Sequence, residues 1–131
     1  VNARPASTGT FLLFVYGTLK KGGSRHQPLS RQRFLGNRRT RPRYALYHMG
    51  NYPAMVEAEP GDVIEGELYE VEARLLDWLD TIEGVPDWFE LGQVELENGE
   101  VAWAYFYRQD TGGCPRIPSG RWDNSPSRGR P

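Results

Sequence analysis

Five consecutive apolar residues, Phe11-Leu12-Leu13-Phe14-Val15, run straight into Tyr16-Gly17-Thr18-Leu19 and then release two lysines and two glycines. No other stretch constrains the fold as strongly. A strand with one wet face alternates apolar and polar side chains, whereas an unbroken apolar run of this length reads as a strand buried on both faces. Its abrupt end puts a Tyr, a Gly and a hydroxyl residue at the mouth of a core, ahead of cations. Backbone N–H groups exposed in such a turn are able to hold an anion. The loop is not a Walker loop, because it lacks the G-x-x-x-x-G-K-[ST] spacing.

A strand covered on both faces needs a real core. The 131 residues supply enough chain for one domain, and four Trp, seven Tyr and five Phe supply the bulk. Residues 1–10 are small and polar and read as a flexible N-terminal tail without the apolar segment of a secretory signal. No stretch approaches the roughly 18 apolar residues of a membrane span. The single cysteine, Cys114, excludes an intramolecular disulfide and fits a reducing compartment. The expectation is a soluble cytoplasmic protein with no membrane partner.

The domain is expected to occupy residues 11–110. Residues 11–16 form its first strand. The segment "RHQPLSRQRFLG" is expected to hold a short helix that starts near Pro28 and ends at Gly36. "RYALYHMG" and "YPAMVEA" read as short strands broken at the turn pair Gly50-Asn51. "DVIEGELYEV" alternates as a strand, and its Gly66 marks a place where something packs close. "EARLLDWLDTIEG" is the principal helix: Leu75, Leu76, Leu79 and Ile82 recur at helical spacing, Gly84 caps it and Pro86 prevents continuation. "LGQVELENGEVAWAYFYRQ" reads as a hairpin around "ENGE". From residue 111 to 131 the chain turns Gly-, Pro-, Ser- and Arg-rich and is expected to be a flexible C-terminal tail. Docking of Ile117 and Trp122 would gain roughly 3 to 5 kcal/mol, which the entropy of ordering the segment is expected to cancel. The sum is a small α+β domain.

Net charge is −1, but it is unevenly placed. Lys20, Lys21 and seven arginines follow one another up to Arg43 with no acid among them, and most carboxylates lie between Glu57 and Glu100. Such a pattern suits a nucleic-acid partner or, more plainly, two halves that lie side by side and pair across the surface. The second reading is preferred.

Glu83 is the chief chemical candidate. Leu76, Leu79 and Glu83 are spaced by three and then four and share the apolar helical face. A carboxylate on that face points toward the core, where desolvation raises its pKa, and the C-terminal end of the helix dipole acts the same way. Such a group carries protons near neutrality. The alternative is a Glu that swings to solvent at a frayed helix end or caps a backbone amide. His26 and His48 are far apart and no Cys or His cluster has ligand spacing, so no metal site is expected. Cys114 sits in the tail, a poor place for an oriented nucleophile. Tyr105 and Tyr107 share one side of the last strand, facing either a cavity or plain core.

"FVYGTLKKG", "YPAMV" after "LYHMG", "VIEGELYEV", "LLDWLDTIEGVP" and "AWAYFY" occur in that order, and the chain from Phe11 to Tyr107 resembles the γ-glutamylcyclotransferase-like superfamily, which includes γ-glutamylamine cyclotransferases and plant AIG2-like proteins. The resemblance implies a compact mixed β-barrel with short helices and a cavity near one end. It implies an enzyme that needs no cofactor and releases 5-oxoproline from a small γ-glutamyl compound. Carried onto this sequence, Tyr16, Gly17, Thr18 and Leu19 would bind the glutamyl moiety through backbone N–H groups, and Glu83 would be the catalytic acid/base. Tyr105 or Tyr107 would be the cavity tyrosine, with the choice left open. The family commonly has Tyr-x-Arg after its Glu-Gly-x-Pro segment, whereas "PDWFELGQV" has Phe89 and Leu91 there. That departure leaves a non-catalytic binding module on the same fold as the alternative.

Overall fold

A computed structural model describes residues 4–124 of the chain. Among these residues seven strands and one short α-helix make a mixed α+β fold: β1 (Thr10–Val15), β2 (Arg33–Arg39), β3 (Tyr44–His48), β4 (Pro53–Glu57), β5 (Glu65–Glu72), α1 (Leu76–Glu83), β6 (Phe89–Glu95) and β7 (Val101–Tyr107). Five of the strands form one sheet in the order β2-β5-β1-β7-β6, and β3 and β4 form a separate hairpin. β1 is therefore the central strand. It runs antiparallel to β5 from Thr10↔Glu72 to Val15↔Glu67 and parallel to β7 at Leu13↔Trp103.

This position explains the unbroken apolar run. Phe11, Leu13 and Val15 enter one core cluster with Leu76 and Leu79 of α1. Phe14 and Tyr16 enter a second cluster with Leu46, Met55 and Val94. Successive side chains of a strand point to opposite faces, so a strand between two cores has no polar face to show. Gly66 lies where close packing requires it: a Cβ there would sit 2.3 Å from the Val15 carbonyl oxygen.

Three expectations change. The helix expected from Pro28 to Gly36 is one 3₁₀ turn, Gln27–Leu29, followed by β2. That turn buries only Pro28 and Leu29. The rest of the segment gains more by pairing with β5, with a register shift between Phe34 and Gly36. Gly36, at φ 117°, belongs to that irregularity and caps no helix. A closed barrel is not found among the described residues: the ends of the edge strands, β2 and β6, meet through one isolated bridge, Thr40↔Leu96, and not through a continuous ladder.

The segment after Asp110 also differs from a free tail as far as Asn124. The Ile117 N–H donates to the Leu46 carbonyl at 2.7 Å, the His48 N–H to Pro115 at 2.8 Å and the Glu65 N–H to Gly120 at 2.8 Å. Ile117 and Trp122 pack against the second core cluster. Their burial, together with these main-chain bonds at β3 and β5, offsets the ordering entropy that sequence composition emphasises. Of the tails expected at 1–10 and 111–131, residues 1–3 and 125–131 lie outside the described residues, and Arg4 pairs with Asp80 at 2.8 Å.

The basic run lies against acids. Arg33 pairs with Glu70, Arg38 with Glu100, Arg39 with Glu65 and Glu97, and Arg41 and Arg43 with Glu95. This is the side-by-side arrangement preferred from the charge pattern. Among the described residues no helix is long and apolar enough to cross a membrane.

Candidate active site

β1 delivers Tyr16 and Gly17 to the bottom of a narrow pocket, and α1 delivers Glu83 to its wall. The Tyr16 hydroxyl donates to the Tyr105 carbonyl at 2.6 Å, which ties the loop to β7. Gly17 is needed for contact: a Cβ there would lie 2.5 Å from Cγ of the Pro53 ring. The chain then doubles back. The Lys20 N–H donates to the Gly17 carbonyl at 3.0 Å, and the Arg25 N–H donates to the Thr18 carbonyl at 2.9 Å. Gly23 makes that return possible, since a Cβ on it would sit 2.1 Å from the Thr18 oxygen. None of the turn and loop bonds among the described residues takes its donor from the N–H of Gly17, Thr18 or Leu19. These three residues line the pocket, so the loop brings to it N–H groups that no main-chain carbonyl among the described residues takes up.

Glu83 closes the last turn of α1, and Gly84 caps that turn in the left-handed conformation at φ 71°. Leu76, Leu79 and Glu83 are the buried residues of the helix, so the three-then-four spacing does put the carboxylate on the core face. Ile82, expected on the apolar stripe, is only half-buried. The Glu83 side chain is 8% exposed, and Arg25 Nη1 donates to its Oε2 at 3.3 Å. Burial raises its pKa above the ordinary carboxylate value, and the guanidinium opposes this without cancelling it. Glu83 is the only acid lining the pocket among the described residues.

The two tyrosine candidates separate. Tyr105 lines the pocket, and its hydroxyl donates to Asp80 Oδ1 at 2.8 Å. Burial, and then Asp80, keeps it a neutral phenol far above neutral pH. Tyr16 is likewise held neutral, by burial and then by the Glu83 charge. Tyr107 is not among the pocket's lining residues. It packs edge-on against Phe89 with ring centroids 5.3 Å apart, and burial pushes its hydroxyl up to about 12. Thus Tyr16, Gly17, Thr18, Leu19, Glu83 and Tyr105 come together, and Tyr107 stands outside.

The sequence reading missed Arg25, Tyr52 and Pro53 as wall residues and treated Phe89 only as a departure from the family pattern. Arg25 was hidden within a run of cations. Gly22-Gly23 signals a reversal that would return it to the loop. Phe89 and Leu91 are both buried, opposite Tyr107 and Tyr105 in the β6–β7 ladder. The histidines have local tasks: His26 Nδ1 bonds with the Leu19 carbonyl at 2.8 Å, and the His48 ring lies 5.0 Å from Trp122.

A pocket with one buried carboxylate of raised pKa, a set of loop N–H groups and neutral phenols suits proton transfer beside a polarised carbonyl. A family model described as γ-glutamyl cyclotransferase, AIG2-like, matches residues 13–124. The chain is 40% identical over 111 residues to a Vibrio cholerae protein carrying a provisional γ-glutamylcyclotransferase name, a match covering 85% of this chain and 94% of that one. It is 33% identical over 103 residues to γ-glutamylaminecyclotransferase C of Danio rerio, covering 70% and 68% respectively. Among solved structures, an AIG2-like protein from Mus musculus superposes with a TM-score of 0.66 at 28% identity, over 87% of this chain and 88% of that one. The matched span takes in both the Tyr16–Leu19 loop and Glu83, and the chain belongs to the AIG2-like γ-glutamyl cyclotransferase family.

Proposed function

We propose that this chain releases 5-oxoproline from a γ-glutamyl amine or γ-glutamyl amino acid, with Glu83 as general acid/base and no cofactor. Family membership supports the reaction class. The observation that carries the residue assignment is the buried carboxylate sharing a pocket with the Tyr16–Leu19 loop.

The substrate's α-ammonium is not a nucleophile until it loses a proton, and Glu83 takes it. The freed amine attacks the γ-carbonyl carbon and closes a five-membered ring. The carbonyl oxygen gathers negative charge, which the N–H groups of Gly17, Thr18 and Leu19 are available to stabilise. The C–N bond then breaks as Glu83 returns its proton to the departing nitrogen, and the second proton that the attacking nitrogen sheds to become the lactam N–H passes to the released amine. The raised pKa suits a group that both accepts and donates within one turnover. Attack is intramolecular, so holding the glutamyl chain folded supplies much of the acceleration. The test is incubation with a panel of γ-glutamyl amines and dipeptides, with 5-oxoproline as the readout.

A binding module on the same fold is the second reading. It draws on Phe89 and Leu91, which stand where the family pattern has a Tyr and an Arg. It is favoured if γ-glutamyl ligands bind and none is turned over.

A further inference from the structure

A second cavity, of about 240 Å³, opens beside the pocket and shares Arg25, Tyr52, Glu83 and Phe89 with it. Its own walls are Ile82, Gly84 and Trp88. The Tyr16–Leu19 loop and Tyr105 line only the inner space, which at about 20 Å³ has to widen before it takes the glutamyl half of a substrate. A group joined to its γ-carbonyl near Glu83 meets the second cavity, whose walls include Glu83 as well.

We infer that this outer cavity is the leaving-group subsite, in which Arg25 takes a carboxylate and Trp88 an apolar or aromatic side chain, so that the preferred substrate is a γ-glutamyl amino acid and not a simple γ-glutamyl amine. The inference rests on the cyclotransferase reading of the site. Arg25 is the only cation lining either cavity among the described residues. Its side chain is 39% exposed, and among the described residues its one side-chain partner is Glu83. A guanidinium has five N–H donors in a planar fork suited to a carboxylate, so most of its binding capacity is unspent.

Substrate geometry meets this arrangement. Glu83 has to reach the scissile nitrogen in order to protonate it. In a γ-glutamyl amino acid the carboxylate is attached to the carbon next to that nitrogen. A carboxylate so placed falls beside a guanidinium that already touches Glu83. The side chain on the same carbon is then directed at the outer walls. There the Trp88 indole is 52% exposed although its backbone is fixed at both ends. The Trp88 N–H donates to Gly84 at 2.8 Å, and its carbonyl accepts from Arg108 at 2.9 Å. A large exposed ring on an anchored backbone, facing a half-buried tyrosine and an isoleucine, is a surface for an apolar side chain. The chemistry stays balanced: one C–N bond forms, one breaks, and the two protons that the α-ammonium sheds in becoming the lactam N–H go to the departing amino acid, which leaves with its own amine protonated.

The test compares γ-glutamyl-phenylalanine, γ-glutamyl-phenethylamine, which lacks only the carboxylate, and γ-glutamyl-glycine, which lacks only the benzyl side chain. Wild type, Arg25→Gln and Trp88→Ala are assayed for 5-oxoproline, with melting curves to confirm folding. In wild type, kcat/KM for the phenylalanine compound should exceed that for the phenethylamine by tenfold or more. Arg25→Gln should bring that ratio close to one, mainly by raising KM for the dipeptide. Trp88→Ala should erase the preference for phenylalanine over glycine and leave the carboxylate preference in place. A wild-type ratio near one, or a ratio that survives in a folded Arg25→Gln protein, overturns the inference. Absence of 5-oxoproline from all three sinks the enzymatic reading instead. Calorimetry with the same ligands then decides the subsite: equal affinity for the dipeptide and the phenethylamine overturns it, and an Arg25-dependent preference supports it.

Discussion

Glu83 and Glu65 each face an arginine, and they respond in opposite directions. Arg121 grips Glu65 with two nitrogens, at 2.9 and 3.2 Å, on a side chain that is 31% exposed, and holds its carboxyl below the ordinary range. Arg25 touches Glu83 once, at 3.3 Å, on a side chain that is 8% exposed, and burial prevails. Both pairs count as salt bridges. What separates a surface brace from a proton carrier is the solvent that each carboxylate has lost and how many donors replace it.

Exchanging each carboxylate for its amide should expose that difference most strongly. Glu83→Gln keeps the shape and cannot carry the proton, so 5-oxoproline release should fall by about 10²- to 10⁴-fold with the fold intact. Glu65→Gln should leave turnover within about twofold, since a loosened surface pair changes little beyond its own neighbourhood. Near-normal turnover by a folded Glu83→Gln protein would remove Glu83 from the mechanism.

The glycines offer the same contrast between pocket and periphery. Gly17→Val drives a side chain into the Pro53 ring, which a Cβ alone would approach to 2.5 Å. It should abolish calorimetric binding of 5-oxoproline. Gly113 has open space around its Cβ position and no left-handed φ. Gly113→Ala should bind as wild type does, so equal affinities in the two variants would refute a loop that needs close approach.

Most of the frame was legible because it is written in local periodicity. The run at 11–15, the hairpin around "ENGE" and the spacing of Leu76, Leu79 and Glu83 each specify one element and its buried face. Arg25 was illegible for a different reason: its position is set by the close approach of Gly23 to the Thr18 carbonyl, a contact with no period. The helix expected at 28–36 failed because β5 offers that segment a partner, and pairing between distant strands leaves no mark in a short window. Residues 111–124 were misjudged from composition, which records the entropy cost of Gly and Pro and not the partners that offset it.

Those residues brace the loop from behind. Asn124 Nδ2 donates to the Gly17 carbonyl at 2.9 Å, and Lys20 Nζ donates to the Trp122 carbonyl at 2.6 Å. A chain ending at Asp110 loses these bonds, the main-chain bonds at Leu46, His48 and Glu65, and the packing of Ile117 and Trp122. Both of those side chains are only half-buried, so the lost apolar contact is worth roughly 2 to 4 kcal/mol, less the entropy recovered. The truncated chain should melt on the order of 5 to 10 °C lower and bind 5-oxoproline more weakly. An unchanged melting temperature would show that the segment is an ornament on the domain.

The smallest effect is the pH dependence of stability, and it returns to the two carboxylates. Glu65 is more acidic folded than unfolded, so its contribution is present above the ordinary carboxylate value of about 4.3 and is lost as pH falls through its depressed native value. Glu83 is less acidic folded than unfolded, so the native state binds the extra proton. Between about 4.3 and its raised native value the folded protein therefore loses stability as pH rises, and above that value the loss is constant. Urea titrations at intervals from about pH 4 to 8 should show Glu83→Gln gaining on wild type as pH rises through the first part of that range and then levelling. Glu65→Gln should lie below wild type at neutrality and converge with it toward the acid end, since only the ionised carboxylate is gripped by Arg121. Arg25 is exposed enough for water to replace Glu83, so the Gln variant is not penalised by a stranded buried cation. Parallel curves for Glu83→Gln and wild type would mean that Glu83 keeps an ordinary pKa in the folded protein, and its suitability as a proton carrier near neutrality would fall with that result.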